Sequence, residues 1–303
     1  MKRYLLYMNY IGTHFSGMQR QESLRTIQGT IEEALADSIK PRSLSEPILQ
    51  VSSRTDSGVH ALSTTAHIDL IHPKNESYNT QYMKHRLNKT FAKNGHAIRI
   101  TSCYQVSTDF HARHSAKSRS YLYRLMVPKK ECYQDIPVSE LYRCFALLGN
   151  TGPFDAERVK RGTQLFLGPK DFQTFAGKIK NKYQNKKVVY VRQLDYFTVE
   201  KGQPLMIDDP LSTQFDYWDF RCGGRAFLYN QVRRMVGTLI TLGLGKITER
   251  DIRCMLQVPS RHNWDSRVQV LPPYALYLCE VGYDPLDLKK NIICEDQSSV
   301  AVN

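Results

Sequence analysis

The sequence predicts an α+β protein made of two halves with similar element order. Short β-prone runs alternate with apolar residues spaced every four positions, and Gly and Pro mark the junctions between them. Beyond residue 113 the same alternation begins again, although no repeat of sequence is visible. The expected organisation is residues 1–113, residues 114–283 and a polar tail over 284–303.

Residues 4–10 read as a strand, closed by a loop at Gly12 and Gly17. Ile27, Ile31, Leu35 and Ile39 form the apolar stripe of a helix that Pro41 stops. Residues 48–53 and 64–70 look like strands flanking an Arg-Thr-Asp-Ser-Gly turn. Met83, Leu87 and Phe91 mark a second helix, and residues 97–106 a further strand. In the second half, residues 121–127 read as a strand, while 138–148 and 157–167 read as helices. Strands follow at 188–199 and 215–222, then the longest helical pattern at 226–242 and a closing strand at 276–283. Past Asp284 periodicity is lost, which predicts a loose tail.

With 41% hydrophobic and 23% charged residues in 303, the chain can build a core, which excludes wholesale disorder. Its longest apolar stretch, near residues 235–245, falls short of the roughly 18 residues that a membrane span needs. The net charge of +13 favours encounter with polyanions, nucleic acid first, though scattered surface lysines or a matrix protein would give the same excess. Seven cysteines without a C-x-x-C pair indicate neither a disulfide framework nor a zinc ribbon, and read as small buried hydrophobes of a reducing compartment. Met1-Lys2-Arg3 runs straight into the first strand, so no signal peptide is expected.

Four segments carry candidate chemistry. Asp56 lies in Ser53-Arg54-Thr55-Asp56-Ser57-Gly58-Val59-His60, where Gly58 permits positive φ and places the carboxylate at a loop apex. Arg54 could keep it ionised, and a plain Asp-Ser-Gly turn is the competing explanation. Phe110-His111-Ala112-Arg113-His114, followed by Arg119 and Tyr121, interleaves arginines with aromatics in a manner suited to stacking on RNA bases. A metal site on its two histidines is weakly supported. Arg233 and Arg234 sit inside an otherwise apolar helix, where one of them should meet a carboxylate or a phosphate unless both snorkel to solvent. Lys178, Lys180, Lys182, Lys186 and Lys187 form either a phosphate-contacting strap or a solvated loop. The residues 243–248 lack the spacing of a phosphate loop, and neither G-x-G-x-x-G nor G-x-S-x-G occurs in a usable context, so no cofactor is expected.

In order, these segments resemble the TruA-type tRNA pseudouridine synthases over about residues 4–283. Arg54-Thr55-Asp56-Ser57-Gly58-Val59-His60-Ala61 is similar to the family's R-T-D-A-G-V-H-A. Phe110–Ala116 resembles F-H-A-R-F-S-A, and Tyr121-Leu122-Tyr123 resembles Y-x-Y. Gly168 to Phe175 is close to G-x-x-D-F-x-x-F, Phe227 to Gly237 to F-L-x-x-M-V-R-x-x-V-G, and Leu276-Tyr277-Leu278 to the family's G-L-Y-L ending. The pattern around Ser52-Ser53 and Gln231-Val232-Arg233-Arg234 resembles the eukaryotic pseudouridylate synthase-like branch, which is associated with mitochondria. Departures fall at Ser53, Ser57, Met18 and Gln231, and at Tyr10-Ile11-Gly12-Thr13, which lacks the usual Asp.

The resemblance implies a pseudouridine synthase fold, in which two α+β halves related by a pseudo-twofold share an antiparallel sheet flanked by helices. It also implies a homodimer acting on tRNA, with other RNA left open as a substrate; the residues themselves call for no cofactor, metal or membrane. Asp56 would be the catalytic aspartate, as nucleophile or general base. Tyr121 would stack on a flipped uridine, Arg233 would pair with Asp56, Leu276 would wall the base, and Arg54 would either fill the gap left in the RNA or hold its backbone. Arg113, Arg119 and the five lysines would contact RNA. Two other readings compete: an idle RNA-binding protein on the same fold, and a hydrolase using Asp56 with His60.

Overall fold

The computed structural model describes residues 1–129, 135–149, 152–178 and 189–293. It is an α+β protein whose sheet is mostly antiparallel and flanked by helices. Two compact units emerge, one of Met1–Lys117 with Glu280–Asn303 and one of Ser118–Cys279.

In the first unit, β1 (Lys2–Tyr10) is the central strand. It leads to α1 (Ile27–Ser38), β2 (Gln50–Val51), β3 (His60–Leu70), α2 (Thr80–Lys93) and β4 (Ile98–Val106). Both β3 and β4 pair antiparallel with β1, and β2 adds to the far side of β3. The apolar stripes foreseen at Ile27, Ile31 and Leu35 and at Met83, Leu87 and Phe91 are buried. Side-chain caps start both helices: Thr26 accepts from the Gly29 amide and Asn79 from the Tyr82 amide. The strand expected at 48–53 shrinks to two residues. Its partner instead starts early, at His60, directly behind the Asp56 loop.

The second unit opens with β5 (Ala116–Pro128), whose first two residues belong to the first unit. The two-residue β6 (Phe145–Ala146), α3 (Ala156–Thr163), β7 (Gly168–Asp171), β8 (Val191–Lys201) and β9 (Phe215–Gly224) follow. After them come α4 (Gln231–Gly243), α5 (Glu249–Gln257) and β10 (Leu276–Tyr283). Antiparallel pairing orders the strands β5-β9-β8-β7, with β6 parallel to β5.

The helix expected at 138–148 does not form. Only a 3-10 turn stands at Val138–Glu140, because Glu140 points inward as a fully buried carboxylate. It takes Arg124 Nη1 at 2.6 Å and Nη2 at 3.2 Å, and the Leu205 amide at 2.7 Å. Tyr142 then adopts φ of 57°, which breaks any helical continuation. Likewise, the long helix begins at Gln231 rather than Ala226. Nor is the start of the tail loose: Asp284 accepts from the Leu286 and Asp287 amides, Pro285 sits in the first turn, and α6 (Pro285–Asn291) forms. Leu288 and Ile292 pack against Leu5, Val106 and Phe110 of the first unit.

Of the cysteines in described residues, Cys103, Cys144 and Cys222 are buried as expected, Cys279 is half-buried, and Cys254 is exposed. Among the described residues no helix is long and apolar enough to cross a membrane.

Candidate active site

Asp56 is half-buried in a loop whose backbone is tied down on several sides. Ser52 fastens the entry, its amide and hydroxyl both donating to the Thr65 carbonyl at 3.0 and 2.8 Å. Thr55 is buried and shares a 2.6 Å hydroxyl hydrogen bond with Tyr10, whose own burial raises its phenol far above the ordinary range. Its carbonyl accepts from the Met18 amide at 3.1 Å. Gly58 has φ of 80°, the conformation its residue type foretold, and its amide donates to the Phe15 carbonyl at 3.3 Å. The Val59 amide closes the turn onto the Asp56 carbonyl at 3.2 Å.

Gly12 completes the clamp. Its amide donates to His60 Nδ1 at 2.9 Å, and a Cβ there would overlap the Val59 carbonyl oxygen. His60 is fully buried, so it presents no imidazole for the hydrolase reading. Arg54, by contrast, is exposed beside the carboxylate in sequence.

The 110–116 segment forms a second fixed loop in this unit. His67 Nδ1 accepts from the Ala112 amide at 3.1 Å, and His111 Nδ1 accepts from the Arg113 amide at 3.1 Å. Arg3 pairs with Asp69 at 2.8 Å and donates to the Thr108 and Phe110 carbonyls at 2.6 and 2.8 Å. Tyr283 Oη donates to the Ala112 carbonyl at 2.7 Å. Burial, then the charges of Arg3 and His111, lower the His67 imidazole to about 4. Burial and His114 lower that of His111. Both rings are therefore neutral acceptors at physiological pH. Arg113 is exposed on this loop.

In the second unit, three of the sequence-selected residues converge on the approach to α4. Arg119 donates to the Arg225 carbonyl at 2.9 Å, and the Tyr121 ring meets Phe227 edge-on at 5.0 Å. Arg233 Nη1 donates to Asn230 Oδ1 at 2.8 Å while its Nε donates to the Leu271 carbonyl at 2.6 Å. Asn230 has φ of 59° and Gln231 Oε1 accepts from the Leu228 amide, so the chain bends sharply before the helix starts. Tyr123, two residues after Tyr121 and on the same face of β5, donates to the Pro272 carbonyl at 3.0 Å. These contacts hold the segment that delivers Leu276, itself buried at the start of β10.

Lys178 is exposed, whereas Lys180, Lys182, Lys186 and Lys187 lie outside the described residues. Sequence reasoning took Gly12 only for a loop residue and missed Tyr10, His67 and Asn230. Of these only Asn230 left a local signal, Asn being a residue that tolerates the left-handed region.

Comparison with known proteins gives the class to which the chain belongs. A family model described as tRNA pseudouridine synthase matches residues 163–284. The human tRNA pseudouridine synthase-like 1 is 31% identical over 293 residues, covering 94% of this chain and 91% of its own length. Its Xenopus laevis counterpart is 29% identical, covering 94% and 93%. A bacterial relative, tRNA pseudouridine synthase A of Leptospira biflexa, is 31% identical, covering 94% and 95%. The chain belongs to the TruA-type tRNA pseudouridine synthase family. It is an RNA pseudouridine synthase, an isomerase by class.

Proposed function

We propose that the protein converts particular uridines of tRNA to pseudouridine, with Asp56 as the group that starts the reaction. The observation that carries this reading is the way Asp56 is borne: a half-buried carboxylate on a loop pinned by Ser52, Thr55, Gly58 and Val59. Such a carriage holds a reacting group within the narrow tolerance that catalysis requires.

The carboxylate either attacks C1′ or removes a ribose proton. In both routes the N1–C1′ bond breaks, the base turns while held and C5 bonds to C1′. That bond displaces the carboxylate in the first route and is matched by return of the ribose proton in the second. As C5 gives up its proton, N1 gains one. Atoms and electrons balance without a cofactor. Tyr121, steadied by Phe227, stacks on the flipped base and assists the C5 proton, while Leu276 walls it. Arg233 pairs with Asp56 and keeps it ionised. Arg54, Arg113 and Arg119, with Lys178, Lys180, Lys182, Lys186 and Lys187, contact the RNA, recovering the few kcal/mol, roughly, that base flipping costs. The resemblance to the eukaryotic branch supports a mitochondrial matrix location, with the cytoplasm or nucleus as the alternative, and the family resemblance supports a homodimer; organelle fractionation and light scattering test the two.

The decisive experiment is pseudouridine-specific chemical mapping of total tRNA treated with wild type or Asp56→Asn. Wild type should yield defined sites. The variant should bind tRNA equally while turnover drops about 10⁴-fold or more. Retained turnover would overturn the role of Asp56, and no sites with wild type would overturn the reading itself.

A further inference from the structure

Within Ser118–Cys279, two arginines outside the proposed catalytic set are seated on aromatic rings and, among the described residues, have no acid to answer them. The Arg234 guanidinium lies 4.4 Å from the Trp264 ring centroid and donates through Nη1 to the Thr174 carbonyl at 3.1 Å. Its Nε is buried without a hydrogen-bond partner. Arg261 stands 6.0 Å over the Tyr190 ring and donates to Tyr190 Oη at 2.9 Å. Among the described residues, neither has a carboxylate in ion-pair range.

One support carries both pairs, the 3-10 turn Gln173–Phe175. Thr174 Oγ1 donates to the Met255 carbonyl at 2.8 Å and accepts from the Ser260 amide at 3.1 Å, fixing the residue before Arg261. Phe175 meets Trp264 edge-on at 5.9 Å. The Phe172 amide donates to the Tyr190 carbonyl at 3.1 Å. The two cations are also close enough to feel each other: burial first, then the charges of Arg233 and Arg261, push the Arg234 guanidinium below its ordinary value.

An aromatic platform orders a guanidinium without neutralising it. Its planar fork then offers two parallel N–H donors, the geometry that suits a phosphate oxygen pair. Crowded cations with no anion are electrostatically incomplete, and in a chain of net charge +13 whose substrate is RNA the missing anion is a backbone phosphate. We propose that Arg234 and Arg261, seated on Trp264 and Tyr190, form a clamp for a phosphodiester of the bound RNA. The clamp rests on the tRNA reading given above.

Labelled tRNA is titrated against the full chain at several salt concentrations, using wild type, Arg261→Gln and, as a control, Arg253→Gln. The control loses the same charge from α5, where Arg253 is exposed and faces Glu249 at 3.6 Å. Losing one phosphate contact should lower the slope of log affinity against log salt by about 0.7–0.9 and weaken binding about eightfold at 0.1 M salt. Arg261→Gln should do so and Arg253→Gln should not. Equal effects in the two variants would mean net charge alone is felt, and the clamp would fail. A second variant, Arg234→Lys, keeps the charge but loses the fork, and should weaken binding with the slope preserved; unchanged affinity would count against the clamp.

Inorganic phosphate without RNA separates the sources of the anion. Thermal stabilisation by millimolar phosphate that requires Arg261 would make this a free-phosphate site and overturn the assignment to RNA. Mapping pseudouridine in the same samples tells the two readings apart. Product from wild type with an unaltered Arg261→Gln slope refutes the clamp alone, whereas a lowered slope without product refutes the synthase reading alone.

Discussion

His67 gives the protein a built-in sensitivity to mild acid. In the folded chain its Nδ1 must stay unprotonated to accept the Ala112 amide, while burial and the nearby Arg3 charge disfavour the imidazolium and Asp69 only partly opposes them. Its imidazole is held at about 4 against an ordinary 6.5. Because the folded value is the lower one, the unfolded chain takes up the proton first. The stabilisation is therefore complete above about pH 6.5, declines as pH falls, and is gone near pH 4. At about 1.4 kcal/mol per pH unit, the gap amounts to about 3 kcal/mol. His67→Asn removes the titration while keeping an acceptor for the Ala112 amide. Urea unfolding followed by circular dichroism at pH 7.5 and pH 4 should find wild type the more stable at neutral pH. That advantage should shrink by about 3 kcal/mol on acidification. A difference between the two proteins that stays constant with pH would refute the reasoning.

Further tests concern the two places where the interior is least forgiving. Gly12→Ala puts a methyl group into the Val59 carbonyl and must push the Asp56 loop outward. Stability should fall by about 1–3 kcal/mol in urea unfolding. Pseudouridine formation should fall much further, about a hundredfold, since a displacement near 1 Å suffices for that. Glu140→Leu strands Arg124 in the interior and orphans the Leu205 amide, at a cost of about 3–5 kcal/mol. Adding Arg124→Met should recover most of that loss. A double variant as unstable as the single would show that lost shape, not the uncompensated charge, is responsible.

Periodic elements were legible in the sequence because their burial follows a repeat. The stripes of α1 and α2 and the run that became β10 behave that way. Errors arose where a single polar group decides the local path. Residues 138–148 carry helix-compatible apolar spacing, yet the need to bring Glu140 to Arg124 overrides it, and that partner lies on another strand. The premature start assigned to α4 has the same origin: the Asn230 turn and the Gln231 side chain spend their hydrogen bonds on the bend before the helix. The polar composition that predicts a loose tail hides the Asp284-Pro285 start signal of α6. Within the candidate site, Gly58 announced its own backbone geometry, whereas Gly12 and Tyr10 act on the Asp56 loop from a distance in sequence that no local pattern records.

The return of residues 280–293 to the first unit sets a schedule for biosynthesis. Tyr283 ties down the Ala112 carbonyl, and Leu288 and Ile292 finish the cluster around Leu5 and Phe110. A nascent chain lacks all of them when Lys117 emerges from the ribosome. At about 5–20 residues per second, roughly 10–30 s pass before they arrive. During that interval β1 to β4 wait with an apolar seam uncovered, while the later-made Ser118–Cys279 is contiguous and can close first. The strands of the first unit are among the last elements to reach their final state, so the nascent chain is open to chaperone binding throughout the delay.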